Sequence, residues 1–241
     1  MKVFAQLEQG TAEWLELRRG ILTASTIGKL VTPSRLQVAK APEFRAELIA
    51  ERYSGLMPLN IQNKAMERGH KDEALARAMY EADYALPEEN VWQVGFITET
   101  YPTEHGLATV GYSPDGLVGN DGLIEIKSKT PSRHRQAVIA GKIPAEHMAQ
   151  IQFGLMVTGR AWCDYVQFCG GQPLWVKRAE PSEKWQTALM AAVVDFERDA
   201  REQQAAYVRN TTGAPVAPLP DYYADYYQIA SPEAPQGWDN N

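Results

Sequence analysis

The sequence predicts an α/β fold in which helices flank a mixed central β-sheet. Helical and strand-like segments follow one another in the order helices, strands, helices, strands, helix, without an internal repeat. Of the 241 residues, 44% are hydrophobic and 22% are charged, which suffices for a sizeable core and disfavours general disorder. We therefore expect a single domain of residues 1–209, followed by a C-terminal tail of residues 210–241.

Four helices are predicted before residue 84 from their start and stop signals. A capping side chain or a proline opens three of them, and Gly20 and Gly55 are candidate stops. The first helix is predicted to begin at Thr11 and the second at Ser25. The third is predicted to run from Pro42 to about Tyr53, and the fourth to span residues 62–83.

Strands become frequent after residue 89, where β-branched and aromatic residues accumulate. They are predicted near residues 90–98, 107–112, 123–127, 161–169 and 173–179. Three further helices are predicted to begin at Pro131, to span residues 144–158, and to run from Ser182 to about Tyr207.

The composition excludes several classes of protein. A formal net charge of −6 argues against a wholly basic nucleic-acid binder. No apolar run approaches the ~18–20 residues of a membrane helix, and residues 1–6 lack the apolar core of a signal peptide. Cys163 and Cys169 are too few for a zinc site or a disulfide framework. We expect a protein of the reducing cytoplasm with no membrane partner.

The charge is unevenly distributed along the chain. Residues 210–241 hold four acids, five prolines and no Lys or Arg, which indicates an extended tail. The tyrosines of residues 221–227 are expected to pack on a neighbouring subunit rather than to stack on nucleic-acid bases. Residues 127–142 hold five basic side chains and no acid, so an acidic protein can still present a local basic face to a polyanion.

The residues that carry candidate chemistry surround a short hairpin. Asp115 lies in a Pro-Asp-Gly turn, and a following strand places Glu125 and Lys127 on one face and Ile124 and Ile126 on the other. The hairpin can bring Asp115 beside Glu125. Two carboxylates at a strand end suit Mg²⁺ or Mn²⁺, and a lysine there can orient water or neutralise charge during phosphodiester hydrolysis.

This pattern has a second interpretation. An acid followed at a loose distance by Glu-x-Lys occurs by chance, and Asp115 could be a plain turn residue beside a solvated strand face formed by Glu125 and Lys127. The preceding proline, the hairpin and the basic stretch that begins at Lys127 favour the functional interpretation.

Five blocks of the sequence together resemble a known nuclease family. The Pro-Asp turn and Glu-Ile-Lys resemble the core of the PD-(D/E)XK superfamily, and the chain resembles its phage lambda exonuclease (YqaJ-type) alkaline exonucleases. The blocks are residues 14–25, 68–74, 113–117, 125–127 and 148–152. They cover about residues 10–170 and imply a restriction-endonuclease-like core. The tail contains no motif of that family.

The resemblance implies a two-metal centre with two Mg²⁺ ions, for which Mn²⁺ is an alternative. The implied metal ligands are Glu73, Asp115, Glu125 and the carbonyl of Ile126. Lys127 would act on the nucleophilic water, and Gln150 would hydrogen-bond near the centre.

The resemblance also implies a pocket for the 5′-phosphate of the digested strand. Its residues are Arg18, Ser25 and Ser113, and a guanidinium suits a terminal phosphate. Ser25 at a candidate helix N-terminus would add an anion site. Arg133 and Arg135, with His134 between them, would contact the DNA backbone.

The activity implied is Mg²⁺-dependent 5′-to-3′ digestion of one strand at double-stranded DNA ends, which releases mononucleotides and leaves 3′ overhangs. The implied assembly is a homotrimeric ring, and the implied partner is a single-strand annealing protein. Two alternatives stay open: an endonuclease of the same superfamily, and a non-catalytic module that binds DNA ends. A pocket for a terminal phosphate argues against the endonuclease. A complete set of catalytic residues argues against the non-catalytic module.

Several of these residues could have ordinary roles. Glu73 could be a surface acid, Arg18 could pair with a nearby Glu, and Gln152 competes with Gln150 because residues two apart cannot share a helical face. Without ligand spacing, His134 and His147 indicate polar residues rather than metal ligands.

Overall fold

Two β-sheets form the centre of the computed structural model, which describes residues 1–59, 64–86 and 88–230. A five-stranded sheet has the order β12 (Trp175–Ala179), β11 (Trp162–Phe168), β10 (Gly122–Ser128), β9 (Gly116–Val118), β6 (Val91–Trp92). A four-stranded sheet has the order β1 (Lys2–Phe4), β7 (Phe96–Thr103), β8 (Gly106–Tyr112), β2 (Leu22–Thr23). The five-stranded sheet is mixed, because β10 and β11 are parallel and the other neighbours are antiparallel. The predicted α/β class with a mixed sheet is confirmed, although the strands of the described residues divide between these two sheets and two further sheets of two strands each.

The helices in these ranges are α1 Ala12–Arg18, α2 Ala24–Ile27, α3 Pro42–Ser54, α4 Lys64–Asp83, α5 Pro131–Ala140, α6 Ala145–Thr158 and α7 Glu183–Thr211. The strands are β1 Lys2–Phe4, β2 Leu22–Thr23, β3 Val31–Thr32, β4 Gln37–Val38, β5 Leu56–Pro58, β6 Val91–Trp92, β7 Phe96–Thr103, β8 Gly106–Tyr112, β9 Gly116–Val118, β10 Gly122–Ser128, β11 Trp162–Phe168, β12 Trp175–Ala179 and β13 Tyr227–Ile229. A short 3₁₀ helix spans Asp221–Asp225.

Strand β10 separates two hydrophobic cores, because its side chains alternate between the two faces of the sheet. Leu123 belongs to the larger core, which includes residues of α6 and α7. Ile124 and Ile126 belong to a smaller core with Ala76 and Tyr80 of α4. Helices α4 and α6 therefore cover opposite faces of the strand that carries the candidate catalytic residues.

Several predicted helix boundaries lie where the sequence signals place them. Thr11 is the N-cap of α1, and its side chain accepts a hydrogen bond from the Trp14 N–H. Helix α3 begins at Pro42 and stops at Gly55, whose φ of 72° suits glycine. Residues 62 and 63 of the predicted fourth helix lie outside the described residues.

Other predicted boundaries are wrong. The N-cap of α2 is Thr23, whose N–H donates to Thr26 Oγ1, so Ser25 lies inside the first turn. The predicted strand at 90–98 is two strands in different sheets, β6 and β7. The chain turns at Gly95, which packs so closely on Leu7 that a Cβ atom there would lie 1.9 Å from the Leu7 carbonyl oxygen.

Residues 227–229 of the tail pack on the same chain, contrary to the expectation of an extended tail, whereas residues 214–219 are exposed and form no helix or strand. Helix α7 continues to Thr211, past its predicted end. Strand β13 then pairs antiparallel with β5, and Gln228 Nε2 donates to the Ala12 carbonyl at 3.0 Å. Tyr222 and Tyr226 stay exposed. Residues 231–241 lie outside the described residues.

Within the described ranges, no helix is both long enough and apolar enough to span a bilayer.

Candidate active site

The β9–β10 hairpin brings the two predicted acids together. Gly116 lies opposite Ile124 in the antiparallel register, and a Cβ atom there would lie 2.8 Å from the Ile124 side chain. This close pairing places Asp115 against β10, where its Oδ2 accepts a hydrogen bond from the Ile126 N–H at 2.6 Å. The turn acid is therefore fixed to the strand that carries Glu125.

Glu125 is a carboxylate inside the protein, and its side chain is 0% exposed. Lys127 Nζ donates to its Oε1, and the Tyr112 hydroxyl lies 3.4 Å from its Oε2. Burial raises the pKa of Glu125 to about 7, Lys127 opposes this rise, and the charge of Asp115 adds to it. The interpretation of Glu125 as part of a solvated strand face is therefore wrong.

Lys127 is the cation of this centre. Burial alone would lower the pKa of Lys127, but the charges of Glu125 and Asp115 outweigh it and raise that pKa above its ordinary value. The side chain is therefore an ammonium group at neutral pH. It can orient a water molecule and neutralise developing charge, but it cannot take a proton.

Polar contacts on both sides of Glu73 fix helix α4 over the sheet. Asp164 on β11 accepts hydrogen bonds from the Tyr80 hydroxyl at 2.7 Å and from Arg178 at 2.8 Å. At the other end, Ser128 Oγ donates to Asp72 Oδ2 at 2.5 Å. These contacts hold the helix that bears the third predicted acid.

Glu73 lies beside Asp115 and is engaged by Arg77, one helical turn further on. Arg77 Nη2 donates to Glu73 Oε1, and Arg77 Nε donates to the Asp115 carbonyl at 2.7 Å. Burial raises the pKa of Glu73, and the negative charge of Asp115 raises it further, while Arg77 opposes the rise. Glu73 is thus part of the acidic centre rather than an isolated surface acid.

The donor set fits a divalent cation of the Mg²⁺ type. Within the described residues, no three His, Cys, Asp or Glu side chains meet closely enough to enclose one ion. Mg²⁺ does not require such a cage, because it keeps several waters and binds through one or two carboxylates together with substrate phosphates. Burial raises the pKa of Glu73, Asp115 and Glu125, so a cation between them would stabilise their ionised forms.

The three predicted phosphate-pocket residues also converge. Arg18 Nη1 donates to Ser113 Oγ and Nη2 donates to Ser25 Oγ, both at 3.0 Å. The guanidinium lies over Trp14, 4.1 Å from the ring centre, and Trp14 Nε1 donates to Ser113 Oγ at 3.0 Å. Trp14 therefore packs against the Arg18 guanidinium and helps to hold it in place.

Arg18 forms no ion pair with a carboxylate of the described ranges, so the predicted alternative of a nearby Glu partner does not hold. Its neighbour Arg19 is the residue that pairs, with Glu16 at 2.7 Å. Burial lowers the pKa of Arg18 to about 10, which leaves it charged at neutral pH. A half-buried cation whose hydrogen-bond partners are neutral hydroxyls is suited to receive an anion.

The two candidate glutamines of α6 differ in environment. Gln152 is buried, donates to the Glu180 carbonyl and accepts from the Ser182 N–H, both at 2.7 Å, so it fastens α6 to the start of α7. Gln150 is half-buried, and its side-chain amide makes no hydrogen bond with a described residue. Its amide is free to act, as the predicted role requires.

Arg133 and Arg135 are exposed on α5, but His134 between them is buried and lies 3.1 Å from Gln167. His134 cannot contact DNA, so that expectation was wrong. Arg133 lines a cavity of about 250 Å³ together with Lys129 and Lys142, beside the strand that carries Lys127.

Sequence reasoning missed two residues of the site and undervalued a third. Arg77 could have been found, since residues four apart on a helix are neighbours and Glu73 precedes it by four. Tyr112 gave no signal, because its contact with Glu125 depends on the packing of two sheets. His147 is largely buried and stacked on Tyr165, and its Nε2 lies 3.2 Å from Glu146 Oε1 but forms no hydrogen bond with a described residue.

Known proteins share this sequence pattern and fold. A model of the YqaJ-like viral recombinase domain matches residues 13–161. A crystal structure of LHK-Exo in complex with dAMP is 32% identical, covers 85% of this chain and 100% of its own, and has a TM-score of 0.72. A second LHK-Exo structure, described as an alkaline exonuclease from Laribacter hongkongensis, is also 32% identical, covers 83% and 100% of the two chains, and has a TM-score of 0.67.

A more distant structure shares the fold alone. It is a phage-related exonuclease from Haemophilus somnus 129PT, with 12% identity, 78% and 96% coverage of the two chains, and a TM-score of 0.53. A comparison with curated proteins gives no significant match.

Proposed function

Because the chain belongs to the YqaJ-like viral recombinase domain family, we propose that it is an exonuclease that degrades one strand of linear double-stranded DNA. The proposed direction is 5′ to 3′, the proposed products are mononucleotides, and the proposed cofactor is Mg²⁺, with Mn²⁺ as a substitute. The similarity to a protein described as an alkaline exonuclease supports the class of reaction.

The observation that carries the proposal is the position of Arg18 relative to the acidic centre. Its partner Ser113 precedes Asp115 by two residues, which span at most about 7 Å of chain. A phosphate held by Arg18 would therefore lie close to the scissile bond. This arrangement suits an enzyme that removes nucleotides from a phosphorylated strand end, whereas an endonuclease does not require a site for a terminal phosphate.

Each residue of the centre has a proposed role in the hydrolysis. Bound Mg²⁺ would polarise the phosphate and make a water molecule more acidic. Glu73, Asp115, Glu125 and the carbonyl of Ile126 would hold the two ions. The Lys127 ammonium would orient the attacking water and neutralise charge on the phosphorane-like transition state, since its raised pKa keeps it protonated.

Gln150 and the basic side chains of α5 would serve the substrate rather than the metal. Gln150 would hydrogen-bond near the reacting phosphate, and the exposed Arg133 and Arg135 would bind the DNA backbone without reading its sequence. Two further parts of the proposal rest on membership of the family. The protein would form a homotrimer around the duplex, and it would transfer the 3′ overhang to a single-strand annealing protein.

Digestion of matched substrates tests this function. In Mg²⁺, a linear duplex should yield acid-soluble mononucleotides, while the same DNA as a closed circle should stay intact. Cutting of the circle would favour the endonuclease alternative. Binding to ends without digestion at any Mg²⁺ or Mn²⁺ concentration would favour the non-catalytic module.

A further inference from the structure

Arg77 connects three parts of the chain at the acidic centre. Its Nη2 donates to Glu73 on the same helix, and its Nε donates to the backbone carbonyl of Asp115 at 2.7 Å. With the Gln93 side-chain oxygen directed at Arg77, Nη1 and Nη2 also donate to that oxygen at 2.9 and 3.0 Å. One guanidinium therefore joins helix α4, the catalytic turn and the segment between β6 and β7.

Arg77 contacts the backbone carbonyl of Asp115 and makes no hydrogen bond to its carboxylate. That carboxylate accepts from the Ile126 N–H through Oδ2, so the turn is held from both sides. On Glu73, Arg77 engages Oε1. The second oxygen, Oε2, has no hydrogen bond to a described residue and can still bind a cation.

A second arginine on the same helix shows what an ordinary surface pair looks like. Arg68 and Asp72 also stand four residues apart, but their closest atoms are 3.7 Å apart and the Arg68 side chain is 53% exposed. The Arg77 side chain is 13% exposed. An exposed pair contributes little, whereas a buried guanidinium with several acceptors has one defined position.

We propose that Arg77 is a positioning residue that holds Glu73 and the Asp115 turn at the separation needed to bind a divalent cation. This inference rests on the proposed metal-dependent function and extends it to a residue outside the proposed metal ligands and DNA contacts. Arg77 acts through the two acids, in the way that outer partners of metal ligands fix ligand orientation.

The test uses the full chain and three variants. Arg77→Gln removes the charge and the fork of donors, and Arg77→Lys keeps the charge but cannot reach all three acceptors at once. Arg68→Gln is the matched control, because it removes an arginine of the same helix that also has an acid four residues away, in this case on its C-terminal side. Mn²⁺ binding to each metal-free protein is measured by calorimetry in the absence of DNA, together with the thermal unfolding midpoint.

We expect Arg77→Gln to weaken Mn²⁺ binding by at least about tenfold, Arg77→Lys to recover part of that loss, and Arg68→Gln to bind as the wild type does. In digestion assays, the Mg²⁺ concentration for half-maximal rate should rise in Arg77→Gln, while the rate at saturating Mg²⁺ should fall much less. If Arg77 had a purely structural role, Arg77→Gln would lower the unfolding midpoint, but the Mg²⁺ concentration for half-maximal rate would not change more than the rate at saturating Mg²⁺.

Mn²⁺ affinity in Arg77→Gln equal to that of the wild type would overturn the proposal, as would equal losses in Arg77→Gln and Arg68→Gln. Should Arg77→Gln fail to fold, Arg77→Lys decides, because unchanged Mn²⁺ affinity in that variant would contradict the positioning role. Failure of the proposed function has a different signature: the wild-type protein would bind Mn²⁺ and still leave linear DNA intact.

Discussion

The Arg18 guanidinium donates a hydrogen bond to Ser113 Oγ at 3.0 Å, and Ser113 belongs to the turn that presents Asp115. The candidate phosphate-binding cation Arg18 is thereby hydrogen-bonded to the turn that carries Asp115, a candidate catalytic acid. Binding of a phosphorylated strand end at Arg18 would place the adjacent nucleotide at the acidic centre, so recognition of the end and hydrolysis should depend on each other.

Replacing Arg18 should remove the preference for a 5′-phosphate. Charge-assisted hydrogen bonds to a phosphate contribute about 1.5–3 kcal/mol, so Arg18→Ala should lower kcat/KM on 5′-phosphorylated duplexes by about 10–100-fold. The rate on 5′-hydroxyl duplexes should change far less. Arg19→Ala is the control, because Arg19 pairs with Glu16 instead. Equal losses on both substrates would show that Arg18 does not recognise the phosphate.

Glu125 should make the metal-free protein less stable as pH rises. Its pKa is raised from 4.5 to about 7, so between these values the folded protein holds a proton that the unfolded chain releases. The contribution of Glu125 to the free energy of unfolding is therefore complete below about pH 4.5 and decreases up to about pH 7.

Urea unfolding in EDTA from pH 4 to 8 measures this effect. Glu125→Gln should flatten the decrease with pH, and the exposed Glu104→Gln should leave it unchanged. The account of a protonated, buried Glu125 would be contradicted if both variants showed the slope of the wild type.

Removing Lys127 should leave Glu125 without its cation. Loss of one partner of a buried pair costs about 3–5 kcal/mol, so Lys127→Met should destabilise the protein strongly at pH 8 as well as abolish digestion. The double variant Lys127→Met with Glu125→Gln should recover much of the stability, because the uncompensated charge is gone, but none of the activity. Denaturant unfolding of the three variants measures this recovery, and additive losses would exclude the pairing.

The hydrogen bond from Tyr80 to Asp164 should stabilise helix α4 on the sheet. Tyr80→Phe leaves a buried carboxylate with one donor fewer, and we expect a loss of about 1–2 kcal/mol in the free energy of unfolding. Tyr84→Phe is the matched control, because Tyr84 stacks on Tyr80 but, among the described residues, its exposed hydroxyl donates only to the Leu174 carbonyl, at 3.2 Å. Equal costs for the two variants would argue against this role of Asp164.

Local patterns in the sequence were sufficient for the hairpin and its two acids. Alternation along β10 correctly assigned Ile124 and Ile126 to a core, and the turn signal correctly placed Asp115 opposite that strand. Helix caps and stops were predictable where one side chain or a glycine decides them, as at Thr11 and Gly55.

Features that depend on distant segments were not predictable in this way. The division of the 90–98 segment follows from the contact of Gly95 with Leu7, and the docking of the tail follows from pairing of β13 with β5. Burial of Glu125 and His134 likewise depends on the packing of whole elements, because neither residue type is usually buried.

One digestion experiment tests the central claim most directly. A linear duplex carries one label in the 5′-terminal nucleotide of a strand and a second label in the 3′-terminal nucleotide of the same strand. In Mg²⁺, the 5′ label should appear first as a mononucleotide, while the 3′ label stays in a shortening strand, and EDTA should stop both. Release of the 3′ label first, or release of internal fragments before mononucleotides, would contradict a 5′-to-3′ exonuclease.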